Sequence, residues 1–218
     1  AMNTGPFFIR LQHADGRLLV CASKFWGNPD LPEDVDYPMA YYPDTDSYEP
    51  YHFICQINLA DLPPQDILPR RGLLQFYANI HYYLGWDCDV EISGYPSGAD
   101  MVKVLYFPDP DPASFRTVVV VGDDESDVLF PHEMAMSFDG SLRDDEPCIH
   151  LLGEPEFREW EEWDEPCRGW RVLLQVDSFD GDDFNLNFMD CGVLDFLISD
   201  EALRRLDFSD VRGIVLST

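Results

Sequence analysis

Two apolar runs, FICQIN at 53–58 and RVLLQVDS at 171–178, each carry a lone glutamine followed two residues later by Asn or Asp. Gln56 and Gln175 lie 119 positions apart, and the glycines that open the next apolar runs, Gly72 in GLLQFY and Gly192 in GVLDFL, lie 120 apart. A shift held over two successive elements points to an internal duplication, with copies at 51–121 and 171–218. Each copy orders a QxN/D strand, a turn, a glycine-led strand, a short helix-like element (PASF or SDEALRRL) and a Val-rich strand (RTVVVV or RGIVLS). Two copies are too few for a solenoid. With no flexible Gly/Ser linker between them, residues 1–218 are expected to form one domain.

Short runs rich in Val, Ile, Leu, Phe and Tyr, bounded by Pro, Gly and Asp, read as strands: FFIRLQ, RLLVCAS, YHFICQINL, GLLQFYANI, VKVLYF, RTVVVV, RVLLQVDS, FNLNF, GVLDFLIS and GIVLS. Helical signals are few. In SDEALRRLDF, Ser199 suits an N-cap, Asp200 and Glu201 suit the positive end of the dipole, and Ala202, Leu203 and Leu206 can bury. A second short amphipathic helix is expected from Pro155, with Phe157, Trp160 and Trp163 at intervals of three. The fold class is therefore α+β: strand-rich, with antiparallel or mixed sheets in two pseudo-twofold halves and few short helices.

Strict alternation puts Ile54, Gln56 and Asn58 on one strand face and Phe53, Cys55 and Ile57 on the other, with Leu173, Gln175 and Asp177 together in the second copy. Gln75 and Asp195 occupy matching places in the glycine-led strands. If a pseudo-twofold axis relates the copies, Gln56, Asn58, Gln75, Gln175, Asp177 and Asp195, with Asp190, converge on a ligand pocket between them. The bland alternative is a half-solvated sheet, or polar groups bonded to neighbouring loop backbone.

Charge narrows the partners. Forty-two acids against 14 Lys and Arg give a net charge of −28, which repels phosphate backbones and anionic lipid, so neither nucleic acid nor membrane is expected. No run approaches the roughly 18 apolar residues of a membrane span, and the N-terminus lacks a signal-peptide pattern, so a cytoplasmic monomer is the expectation. A 45% hydrophobic and 14% aromatic composition still argues for a folded core. The acid is clustered: residues 25–69 contain no Lys or Arg, and residues 139–165 hold eleven acids against Arg143 and Arg158. Such a surface favours solubility, and it also suits docking of a basic partner. The six scattered cysteines read as reduced thiols.

Catalytic motifs are scarce. No GxSxG, GxGxxG or Walker sequence occurs, and the isolated histidines name no base. Cys148 and His150 form a C-x-H pair with Cys167 beyond, short of a zinc pattern. Asp177, Asp180, Asp182 and Asp183 crowd one turn, an oxygen-rich set that suits Ca²⁺. With Gly181 at position six of an EF-hand loop, however, position one is Val176, which has no side-chain oxygen. Lys24, Phe25, Trp26 and Tyr37 lie among acids in a proline-stiffened loop, where Trp26 either recognises a cationic ligand or plugs the core edge.

The segments ASKFWGNPDLPEDVDYP, FICQINLADLP, GLLQFY, VLYFPD, HLLGEP, LLQVDS and MDCGVLDFLIS, in that order from Leu18 to Ser217, resemble the bacterial YwqG-like proteins that carry the DUF1963 domain. The resemblance implies a duplicated, strand-rich α+β architecture, and implies no activity. Two motifs depart from that family: Trp26 precedes Gly27 where it shows SK-x-GG, and Phe188, Met189, Asp190, Cys191, Gly192 stand at its WGD-x-G. The expected function is non-enzymatic: an acidic binding protein, such as an immunity-type inhibitor of a basic partner, without a cofactor. The alternative is a small-molecule or metal-dependent enzyme with its pocket between the copies.

Overall fold

The computed structural model describes residues 3–79, 97–98, 100–120, 132–138, 141–154, 169–182, 184–188 and 191–216. The apolar runs fold into strands, and every strand pairing among the described residues is antiparallel. A six-stranded sheet is ordered Arg10–His13, Met134–Ser137, Lys24–Phe25, His52–Asn58, Leu73–Ala78, Val102–Phe107. A five-stranded sheet is ordered Phe7–Phe8, His150–Leu151, Trp170–Asp177, Val193–Ser199, Arg212–Leu216.

The two sheets enclose one core, because alternate residues of each central strand point to the same side. Leu74, Phe76 and Ala78 of the first share a cluster with Leu194, Phe196 and Ile198 of the second. Phe76 and Phe196 meet edge-on with ring centroids 5.2 Å apart. The outer face of the six-stranded sheet buries Phe53 and Tyr77 beneath Ala40 of the hairpin Met39–Tyr42/Ser47–Pro50. Val172, Val193, Leu197, Ile214 and Leu216 form a separate cluster in the five-stranded sheet.

Alternation along the glutamine strands is broken, which corrects the expected faces. The register slips between Phe53 and Cys55, and again between Val172 and Leu174. Each slip is a bulge: Ile54 and Leu173 are extra residues turned into the shared core. Phe53 therefore lies on the same face as Gln56, opposite Tyr77, and Ile54 does not.

Three further expectations change. FFIRLQ is not one strand: Phe7–Phe8 joins the five-stranded sheet and Arg10–His13 the six-stranded one, with the Ile9 N–H bonded to Ile149 O at 2.8 Å between them. RLLVCAS is irregular up to Ser23, with Leu19 82% exposed and Cys21 at φ 64°, because its backbone serves side chains rather than a ladder. RTVVVV does not supply the third strand expected for the first copy. Phe115–Thr117 pairs with Asp30–Pro32, while Val102–Phe107 lies beside Leu73–Ala78.

The helix Asp200–Arg205 forms as expected: Ser199 Oγ accepts the Ala202 N–H at 3.1 Å, and Leu206 closes the helix at φ 54°. The helix expected from Pro155 lies outside the described residues. Among the described residues no helix is long and apolar enough to cross a membrane.

Candidate functional site

The polar residues that interrupt the apolar strands form two rows, one across each sheet. In the six-stranded sheet Lys24 lies opposite Gln56, and Gln56 opposite Gln75. All three are buried. Gln56 Nε2 donates to Ala22 O at 2.8 Å and to Asp30 Oδ2 at 2.7 Å, while its Oε1 accepts the Asp30 N–H at 3.1 Å. Gln75 Nε2 donates to Asp30 O at 2.6 Å, and Tyr77 Oη donates to Gln75 Oε1 at 2.8 Å.

Asp30 is the hub of this row. Besides Gln56, its carboxylate accepts the Cys21 N–H at 2.9 Å and the Thr117 hydroxyl at 2.7 Å, and it lies 3.2 Å from Lys24 Nζ. Glu133 supplies a second carboxylate to Lys24 at 3.4 Å. A buried ammonium survives only where such partners compensate its lost hydration. Asn58 continues the row, with Nδ2 donating to Cys21 O at 3.0 Å and its N–H donating to Ser23 Oγ at 2.8 Å. These polar atoms bond one another and the backbone, which makes the row a structural brace.

In the five-stranded sheet His150 lies opposite Gln175, and Gln175 opposite Asp195. Gln175 Nε2 donates to Cys148 O at 3.1 Å, as Gln56 donates to Ala22 O. Both acceptors stand two residues before the strand residue that faces the glutamine. Asp177 stands where Asn58 stands in the other row, with Oδ2 accepting the Cys148 N–H at 2.8 Å and Oδ1 accepting the Ser178 N–H at 2.8 Å.

Both bulges are held alike. Trp26 at φ 56° donates its N–H to Ile54 O at 2.8 Å, and Leu152 at φ 59° donates to Leu173 O at 2.9 Å. A glycine at positive φ follows each of them, Gly27 at 77° and Gly153 at 108°. A Cβ on Gly27 would stand 2.8 Å from Glu133 Cβ, and one on Gly153 would stand 2.9 Å from Pro6 Cβ.

The ligand residues expected from sequence are thus brought into two rows on separate sheets. Gln56, Gln75, Gln175 and Asp195 are fully buried. Trp26 is also fully buried, tilted against Phe25 at 4.8 Å and edge-on to His52 at 4.8 Å, so it offers no exposed platform for a cation. Burial pushes the His52 imidazole down to about 3. Burial, reinforced by Asp30, pushes the Cys21 thiol up to about 11, away from thiolate chemistry.

The aspartates expected around Ca²⁺ are separately engaged. Asp177 holds backbone N–H groups, Asp180 accepts from Asn185, and Asp182 lies 3.0 Å from His13 Nδ1. Asp183 and Asp190 lie outside the described residues. Among the described residues no three His, Cys, Asp or Glu side chains converge on a metal position.

Sequence reasoning missed Asp30 as the hub, having grouped it with the surface acids. Its signal was local: a single acid in NPDLP, six residues after the last cation before a cation-free stretch. It also missed a cleft of about 440 Å³ where the Val102–Phe107 strand meets the segment after the helix, lined by Tyr51, Lys103, Tyr106, Asp207 and Ser209 among others. None of the expected ligand residues lines it.

No curated protein matches the chain. A family model described as a domain of unknown function, DUF1963, matches residues 23–215.

Proposed function

The chain belongs to the DUF1963 family, and from that premise we propose that it is a non-enzymatic binding protein whose acidic surface takes a basic protein partner. The observation that carries this reading is the net charge of −28, with 45 successive residues, 25–69, free of Lys and Arg. The buried rows support it from the other side, because the sheet residues best suited to chemistry are spent on bracing the fold. In its strongest form the binding is inhibitory, an immunity-type masking of a basic protein by a cytoplasmic monomer. We also propose that the two sheets carry duplicated halves of one domain, supported by the matching bulges, left-handed residues, glycines and glutamine bonds.

Electrostatic steering makes such an association fast and strongly salt-dependent. The immobilised chain is expected to retain a basic protein from a low-salt lysate and to release it as salt rises. Retention that salt does not weaken, or retained proteins that are not basic, would sink the reading.

One observation favours a second reading, a small-molecule or metal-dependent enzyme. The cleft beside Val102–Phe107 has a volume in the range of ligand sites and presents Lys103, Asp207, Ser209 and two tyrosines. Its residues are not those expected between the copies, and a Ca²⁺ requirement would have to come from elsewhere than a shared Asp177–Asp182 cage.

A further inference from the structure

The hairpin Met39–Tyr42/Ser47–Pro50 has two unlike sides. On one, Ala40 and Tyr42 pack with Tyr51, Phe53 and Tyr77 over the six-stranded sheet. On the other, Met39, Tyr41 and Tyr48 are 44%, 49% and 66% exposed. Six large hydrophobic side chains are 40% or more exposed among the described residues, and three of them share this one small face. Water-facing apolar residues scattered singly need no explanation, whereas a group of them rimmed by polar residues marks a contact surface.

The composition of the face says what it would contact. Tyr41 and Tyr48 are cross-strand partners with ring centroids 5.0 Å apart, and the Tyr41 hydroxyl donates to Asp46 Oδ1 at 2.9 Å. Asp44 and Asp46 are exposed in the turn that joins the two strands, within the stretch that holds no cation, whereas Glu49, opposite Ala40, belongs to the hairpin's other side. Aromatic faces attract ammonium and guanidinium groups, and neighbouring carboxylates add to that attraction. A second copy of this chain, a nucleic acid or an anionic membrane would each bring like charge to this face.

We infer that the outer face of this hairpin is the surface on which the basic partner docks, with an arginine or lysine side chain of the partner seated on the Tyr41–Tyr48 pair. This deepens the proposed function and rests on it. Tyrosine suits the role because it gives a large contact area with few rotors to freeze. The same pair also steadies the hairpin, so the test must read contact rather than stability alone.

The probe is an arginine-rich octapeptide, compared with its citrulline counterpart of equal shape and no charge, titrated into the full chain at low salt. Expected is binding of the charged peptide alone, with movement of the Tyr41 and Tyr48 ring resonances. Changing both residues, Tyr41→Thr with Tyr48→Thr, weakens binding by about tenfold or more. Changing both to Phe keeps the rings and restores it. If the charged peptide binds while the two rings stay unmoved, or if the folded double Thr variant binds as tightly, the hairpin is not the surface and the basic-partner reading stands without it. Equal ring movement with the citrulline peptide overturns recognition of charge. Absence of any binding by the charged peptide removes both readings together.

Discussion

The two polar rows share a backbone and differ in chemistry. In each, a bulge residue accepts a hydrogen bond from a left-handed residue, a glycine follows, and a glutamine beyond the bulge grips a carbonyl of the facing segment. The side chains across the rows are exchanged: Lys24 against His150, Gln75 against Asp195, Asn58 against Asp177. What persists is the device that anchors a two-residue strand to a long one. The facing strands, Lys24–Phe25 and His150–Leu151, are too short to be held by ladder bonds alone. The glutamine extends each pairing by one side-chain bond, and that is the physical reason it interrupts an apolar run. The recurrence therefore marks an architectural joint before it marks a reaction.

The sharpest way to separate the rows is through their charges. Asp30→Ala removes the hub carboxylate and leaves the buried Lys24 ammonium with Glu133 as its one carboxylate partner among the described residues. A loss of about 3–5 kcal/mol in denaturant-measured stability is expected, as for other broken buried ion pairs. A loss near 1 kcal/mol would mean that the ion pair contributes little and that the first row is held by its glutamine bonds.

Acid should act next most strongly, and through the first half. His52 is held neutral by burial with its pKa near 3, while an unfolded chain protonates near 6.5. The unfolded state therefore binds the extra proton between those values, and His52 contributes a loss of stability of about 1.4 kcal/mol per unit as pH falls from 6.5 toward 3. At the place His52 holds relative to its glutamine, the second half has Arg171, in an ion pair with Asp200 at 2.7 Å. His52→Phe, which keeps a ring against Trp26, is expected to flatten the stability–pH curve in that window. An unchanged slope would assign the acid sensitivity to other groups.

The smallest effect tests what the rows share. Gly27→Ala and Gly153→Ala each force a side chain into a left-handed backbone and into a contact under 3 Å. Each is expected to cost about 2 kcal/mol, and the two losses should match within about 1 kcal/mol. A loss at only one of them would show that the two joints differ in backbone as well as in side chains.

Much of this was legible in the residues. The strand-rich class, most strand positions, the capped helix at Ser199 and the acid excess all follow from local rules: propensity, turn residues, capping and charge count. The same rules placed Gln56, Gln75, Gln175 and Asp195 within strands at matching positions. They failed at face and partner. Alternation of period two holds only while the ladder is regular, and whether Ile54 or Leu173 bulges is set by an N–H arriving from residues 26 and 152. FFIRLQ crosses between two sheets because each sheet has an edge position for it, a fact carried by strands more than a hundred residues away. Asp30 reads in the sequence as one surface acid among many. It is buried because Lys24, Gln56, Cys21 and Thr117 surround it, and a charge leaves water only where such a set of partners assembles in three dimensions. The sequence by itself determined which segments extend and where their polar groups fall. Only the tertiary structure decided which groups meet, because hydrogen bonds and ion pairs between distant segments depend on register and bulges that no local pattern encodes.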